Sequence, residues 1–303
     1  MTALSLTNVT KTYANGVNAL KGISLNVKKG DFFALLGANG AGKSTTIGII
    51  TSLVKKTSGQ VSVFGHDLDF AANQAKQCIG LVPQEFNCNI FEKCSFILRT
   101  QAGYYGIPKK IAIERAEYYL NKLKLWDKRN EIARRLSGGM KRRLMIARAL
   151  VHEPKMLILD EPTAGVDIEI RHTMWEFLQE LNDAGTTIIL TTHYLEEAEK
   201  LCRNIAIIKG GNIALENSMA NLLKEGNNRR IIVELANPIS SLPIFKSFQA
   251  HSIDSQKLEI TLKDKSNLND VFDELSQHNF QVTHLTNDAS RLEHLFLGLI
   301  NHE

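Results

Sequence analysis

Hydrophobic and polar positions alternate over much of the first thirty residues: LSLTNV reads this way, and Leu20, Ile23, Leu25 and Val27 stand among polar neighbours. A period near two predicts strands with one buried face. The pattern then changes to short apolar runs: FFALL (32–36), MLILD (156–160), TTIIL (186–190) and NIAIIK (204–209). FFALL leads into a glycine-rich turn and a helical pattern near 43–53, and a second helical pattern separates MLILD from TTIIL. Apolar strands alternating with amphipathic helices predict an α/β layer around a parallel sheet.

Residues from about 85 to 135 break this rhythm. They are helix-rich, lack a strong strand and carry Tyr104, Tyr105, Tyr118, Tyr119 and Trp126, which reads as a helical insertion packed by its own aromatics. A polar, glycine-containing linker, KEGNN (224–228), ends the α/β pattern. After it come RIIVEL, a helical piece around 240–248, LEITL (258–262), a helix near 267–277, QVTHL (281–285) and a helix near 290–299. The chain therefore divides into a large domain over 1–225 and a small α+β domain over 226–303.

Composition narrows the function class. Of 303 residues, 44% are hydrophobic and 22% charged, an ordinary globular balance. No run approaches the roughly 18 apolar residues of a membrane span, and MTALSLTNVTK lacks the basic and apolar regions of a secretory signal. Cys78, Cys88, Cys94 and Cys202 form no C-x-x-C pair, so small buried hydrophobes in a reducing compartment are expected. The net charge of +4 conceals an uneven distribution, and it does not indicate a nucleic-acid partner. Residues 226–303 hold seven basic and ten acidic side chains, which leaves the first 225 residues at +7.

The chemistry begins at GANGAGKST. Gly37, Ala38, Asn39, Gly40, Ala41, Gly42, Lys43, Ser44 and Thr45 fit G-x-x-x-x-G-K-[ST] between a strand and a helix, the context that a phosphate-binding loop requires. The glycines let successive N–H groups turn inward beside a helix N-terminus, Lys43 reaches β- and γ-phosphates, and Ser44 offers a hydroxyl to Mg²⁺. MLILDEP ends an apolar strand with two acids. Asp160 suits Mg²⁺, held directly or through water; Glu161, pointing elsewhere, suits the orientation or deprotonation of an attacking water.

The segment LSGGMKRRLMIARALV (136–151) places Met140, Leu144, Ala147 and Val151 on one helical face, with Ser137 at the N-cap. Gly138 and Gly139 are poor helix formers, costing about 1 kcal/mol each in a helix interior, but they allow an anion close to the free amides. Lys141, Arg142 and Arg143 add positive charge nearby.

Taken together, GANGAGKST, LSGGM, MLILDEP and AGVD, in this order and spacing, resemble the ATP-binding subunits of ABC transporters over about residues 4–220. The resemblance implies a P-loop NTPase cassette with a RecA-like core, an antiparallel β subdomain and a helical subdomain. It also implies a head-to-tail homodimer that sandwiches ATP, with Ser137, Gly138 and Gly139 meeting the γ-phosphate bound by the partner chain. By the same resemblance Tyr13 stacks on adenine, Gln84 touches Mg²⁺ and the lytic water, Asp167 lies in the loop crossing the dimer interface, and His193 contacts the γ-phosphate. Position 140 holds Met where the signature usually has Gln. LSGGMKRR and the terminal LEHLFLGL, whose His294 and Leu295 depart from LEDVFL, resemble a branch of exporter ATPases that includes drug and lipo-oligosaccharide exporters.

The resulting expectation is an ATPase driving a separate polytopic membrane permease, peripheral on the cytoplasmic face of the inner membrane and working in export. The competing reading is a non-transport ABC ATPase acting on ribosomes or DNA. Those resemble chains with two fused cassettes or long coiled-coil insertions, and this sequence has one phosphate loop and neither addition.

Overall fold

Strand burial follows the hydrophobic pattern closely enough to explain the architecture. The computed structural model describes residues 1–225, 230–239, 242–262 and 267–287, together with 292, 293 and 296. Its contacts divide the chain into two units, Met1–Ser218 and Met219–Glu303.

In the first unit the alternating strands β1 (Thr2–Thr12) and β2 (Asn18–Lys28) join β4 (Ser58–Val63) and β5 (His66–Asp67) in an antiparallel sheet ordered β2-β1-β4-β5. The apolar runs supply four strands of a second sheet of six. It contains β3 (Phe32–Leu36), β6 (Ile79–Val82), β7 (Met156–Asp160), β8 (Thr187–Thr191), β9 (Asn204–Lys209) and β10 (Asn212–Ser218), in the order β10-β9-β3-β8-β7-β6. All neighbours are parallel except β10 on β9. Every residue of β3 and β8 is buried, as central strands covered on both faces must be. The two sheets share one core, in which Leu4, Leu25 and Val61 meet Phe33, Ile158 and Ile47.

Helices α1 (Lys43–Ile50), α2 (Ala72–Gln77), α3 (Cys94–Tyr104), α4 (Lys109–Lys122), α5 (Gly138–Leu150), α6 (Ile168–Asp183) and α7 (Leu195–Leu201) complete the unit. Helix α1 stops at Ile50, short of the expected 53, because Ser52 turns left-handed at φ +60 and the Leu53 and Val54 amides fold back onto the Gly48 carbonyl. The insertion between β6 and β7 is helical, with a single bridge pair, Lys93 to Ile132. Its aromatics do not all serve as packing: Tyr119 is buried, but Tyr104 is 81% and Tyr118 55% exposed. Among the described residues no helix is long and apolar enough to cross a membrane.

The second unit opens with α8 (Met219–Glu225) and builds an antiparallel sheet from β11 (Arg230–Leu235), β12 (Phe248–Ser252), β13 (Lys257–Leu262) and β14 (Val282–Asn287), ordered β12-β13-β11-β14. Helix α9 (Leu268–Gln277) starts from an Asn267–Asp270 capping box and packs Val271 and Leu275 with Ile231, Val233, Leu258 and Ile260. The expected helix around 240–248 is absent from the described part of that stretch. Phe248 instead begins β12, because its backbone pairs with Leu262 of β13 while its ring stacks on Phe245. The expected helix near 290–299, with His294 and Leu295, falls largely outside the described residues.

Candidate functional site

The loop after β3 leaves the middle of the six-stranded sheet, between β9 and β8. Its glycines are set by space and by conformation. Gly37 has φ +157, and a Cβ there would lie 2.4 Å from the Ile208 carbonyl oxygen. Gly42, the left-handed N-cap of α1 at φ +117, would bring a Cβ to 2.8 Å from a Leu20 methyl and 3.0 Å from the Ala19 carbonyl oxygen. Helix α1 begins without a side-chain cap or an acidic residue in its first turn, so no side chain of its own competes for the free amides. Lys43 is buried, and its ammonium donates to Gly37 O at 2.6 Å and Ala38 O at 3.1 Å. Burial lowers its pKa, while Glu161 and Asp160 work in the opposite direction. Ala38, Asn39, Gly40 and Ser44 are exposed, Ala41 is buried, and Tyr13 Oη lies 3.2 Å from Thr45 Oγ1.

The two acids at the end of β7 lie across β8 from that loop, beside the end of β8. Thr191 of β8 donates its hydroxyl to Asp160 Oδ1. Glu161 occupies the left-handed region at φ +49, and its amide donates to the Thr191 carbonyl at 2.9 Å. This turn separates the neighbouring carboxylates. Glu161 Oε2 accepts from Gln84 Nε2 at 3.1 Å and lies 3.3 Å from His193 Nδ1. Gln84, Glu161 and His193 therefore converge, although 77 and 32 residues separate the outer two from Glu161 in the chain.

Ser137 caps α5 by accepting from the Met140 amide at 3.4 Å, and Asp167 stands exposed at the N-cap of α6. Among the described residues no hydrogen bond or ion pair joins Ser137, Gly138, Gly139 or Asp167 to the phosphate loop. A Cβ on Gly138 would meet nothing within 4 Å, so the packing of this chain does not demand a glycine there. Met140 is half-buried on the stripe it shares with Leu144, Ala147 and Val151.

The roles of three residues escaped the sequence reading. Arg142, expected with Lys141 and Arg143 to add positive charge beside the helix start, is instead only 6% exposed and donates solely to backbone carbonyls. Thr191 ends an apolar strand with no mark of its role. Glu197, inside LEEAE, is fully buried: its Oε1 accepts from Thr163 Oγ1 at 3.0 Å and Trp175 Nε1 at 2.9 Å. Burial pushes the Glu197 carboxyl upward, against hydrogen bonds from Thr192, Trp175 and Thr163 and the charge of Arg171.

A phosphate loop, a carboxylate pair and a capped Ser-Gly-Gly helix on this sheet order define a nucleotide-hydrolysing P-loop cassette. The sequence model of the ABC transporter family matches residues 20–164. Linearmycin resistance ATP-binding protein LnrL of Bacillus subtilis is 35% identical over 98% of this chain and 97% of its own length. Nod factor export ATP-binding protein I of Cupriavidus metallidurans is 41% identical over 70% of each chain. Among solved structures, an ATP-binding subunit of an ABC transporter superposes with TM-score 0.68 at 28% identity, covering 74% of this chain and 92% of that one. A dimeric cassette in a post-hydrolysis state bound to ADP and Pi gives 0.66 at 30%, covering 71% and 98%. The chain belongs to the ABC transporter family. As a member it is an ATP-hydrolysing, nucleotide-binding subunit of a transporter, and cassettes of this family dimerise and function with membrane components. These relatives do not favour the alternative of a non-transport ATPase on ribosomes or DNA.

Proposed function

We propose that two copies of this chain enclose two ATP molecules, each between the phosphate loop of one copy and the α5 N-terminus of the other. The observation that carries this reading is the Glu161 carboxylate, held between Gln84 and His193 beside Asp160 and the buried Lys43. Residues Gly37 to Thr45 cradle the phosphates, Lys43 moves from its loop carbonyls to the β- and γ-phosphates, and Tyr13 stacks on the adenine. Glu161 orients and polarises the attacking water, and His193 meets the γ-phosphate.

Ser44, Asp160 and Gln84 supply hydroxyl, carboxylate and amide oxygens, the hard donors that suit Mg²⁺. Held by these residues, Mg²⁺ would supply charge neutralisation to the phosphate being transferred. Few protein ligands are needed, since phosphate and water complete its shell; no cluster of three His, Cys, Asp or Glu occurs among the described residues.

Ser137, Gly138 and Gly139 face the partner's γ-phosphate, and Asp167 lies across the same interface. The open space around Gly138 supports this, because it leaves room for an anion at the helix start. For the permease, a groove of about 320 Å³ spans the α/β core and the insertion, lined by Leu53, Lys76, Pro83, Gln101, Tyr105 and His152. It starts beside Gln84, so a cytoplasmic helix of a polytopic permease seated there would sense the nucleotide site. The names of the relatives support export, with this chain on the cytoplasmic face of the inner membrane.

The test is Glu161→Gln. ATP binding should persist while hydrolysis falls at least about a hundredfold, roughly 3 kcal/mol of barrier. Near-normal hydrolysis would overturn the assignment. Purification from detergent-solubilised membranes should yield a stoichiometric polytopic partner, and recovery with ribosomal RNA or DNA alone would contradict the transport reading.

A further inference from the structure

The guanidinium of Arg142 has five N–H donors, and the structure gives it five backbone carbonyls. Nε donates to Pro162 O at 2.7 Å, and Nη1 donates to Pro83 O at 2.6 Å and Gln84 O at 3.0 Å. Nη2 donates to Asp160 O at 3.1 Å and to Glu161 O. These oxygens come from two loops, one after β6 and one after β7, which are adjacent strands. Burying a charge is costly unless its donors are satisfied, and here they all are. Arg142 takes the carbonyls and leaves the Glu161 carboxylate to Gln84 and His193.

We propose that Arg142 is the positioning residue that sets the Gln84–Glu161 pair and ties it to the helix start offered to the second nucleotide. This rests on the function proposed above. Glu161 sits in a left-handed conformation that a non-glycine residue adopts only at a cost, so it must be held. Its amide is fixed by Thr191 and its carbonyl by Arg142. The same guanidinium fixes the carbonyl of Gln84, whose side chain meets the Glu161 carboxylate. Arg142 lies four residues beyond Gly138, on the helical face shared with it. Movement of the α5 N-terminus on engaging the partner's nucleotide is thereby passed to the residues around the water. Arg148, further along α5, adds a hydrogen bond to Asn87 Oδ1 at 2.7 Å, so two arginines of the helix hold the stretch from Pro83 to Asn87.

Lysine has three donors from a single nitrogen and cannot span both loops; glutamine has two. Arg142→Lys and Arg142→Gln should therefore bind ATP within about threefold of the parent, with kcat lowered at least about tenfold. The decisive readout is a double-mutant cycle. Added to Glu161→Gln, Arg142→Lys should change the residual rate by less than about twofold, because its effect runs through Glu161. An equal loss in both backgrounds, a loss explained by ATP affinity, or no loss at all would overturn the inference. Failure of both single variants to fold would also overturn it, since the guanidinium would then serve the fold alone. Near-normal hydrolysis by Glu161→Gln alone would instead sink the proposed function. A slow Glu161→Gln with an additive Arg142→Lys effect sinks only this inference.

Discussion

His193 Nδ1 lies 3.3 Å from Glu161 Oε2, the same oxygen that accepts from Gln84 Nε2 at 3.1 Å. A carboxylate oxygen shared by an amide donor and an imidazole is held at a fixed point from two sides. The two neighbours are not equivalent, because Gln84 is linked to Arg142 through its backbone and His193 stands half out in solvent at the end of its own strand–helix loop.

His193→Ala and Gln84→Ala should consequently differ. His193→Ala removes a group assigned to the γ-phosphate and should lower kcat about tenfold to a hundredfold with ATP affinity little changed. Gln84→Ala also removes a proposed Mg²⁺ contact, so it should raise the Mg²⁺ concentration needed for half-maximal hydrolysis as well. Steady-state ATPase assays over a Mg²⁺ series check this, and an unshifted Mg²⁺ requirement in Gln84→Ala would remove that residue from the metal site.

Two glycines make opposite predictions. Gly42→Ala should cost about 1–3 kcal/mol of stability and weaken ATP binding, since its Cβ meets Leu20 and Ala19 at a left-handed φ. Gly138→Asp should leave the monomer as stable or a few tenths of a kcal/mol better, because a carboxylate suits a helix N-terminus. It should nevertheless abolish hydrolysis by repelling the partner's γ-phosphate. Thermal melts and ATPase assays on both proteins separate the effects; an active Gly138→Asp would exclude α5 from the nucleotide site.

His152 stacks on Tyr105 with ring centroids 3.6 Å apart and its Nε2–H donates to the Ile79 carbonyl at 3.0 Å. Burial lowers its pKa from 6.5 to about 4, with the Ile79 hydrogen bond working against that shift and Arg115 adding to it. The folded imidazole thus stays neutral where the unfolded one gains a proton, so this residue's contribution to stability is full above pH 6.5 and is lost as pH falls toward 4. An NMR titration should show the His152 ring unprotonated at pH 5. His152→Phe should be about 1 kcal/mol less stable at pH 7 but flatter in stability between pH 6.5 and 4.

How much of this was legible in the sequence depends on what the sequence pattern records. The runs FFALL, MLILD and TTIIL are apolar because both faces of their strands are covered, and that is visible in one dimension. The GANGAGKST loop is equally plain, since its glycines answer to local geometry. The helix expected around 240–248 is not found in the described part of that stretch, because pairing with β13 takes Phe248 into a strand. Pairing partners are not written in a local pattern. Arg142 was hidden for a related reason: amid Lys141 and Arg143 it reads as surface charge, and only the approach of two distant loops supplies its five acceptors. Gln84 drew its meaning from the family resemblance, because the short strand before it, Ile79–Val82, gives too little pattern to frame a site.

The central claim is that the nucleotide site is completed by a second copy of the chain. Sedimentation velocity of purified Glu161→Gln protein, with and without Mg·ATP, tests it most directly. The account predicts a monomer without nucleotide, a dimer holding two ATP with it, and no dimer when Gly138→Asp is added. A Glu161→Gln protein that binds ATP yet sediments as a monomer at every concentration, or a dimer indifferent to Gly138→Asp, would contradict it.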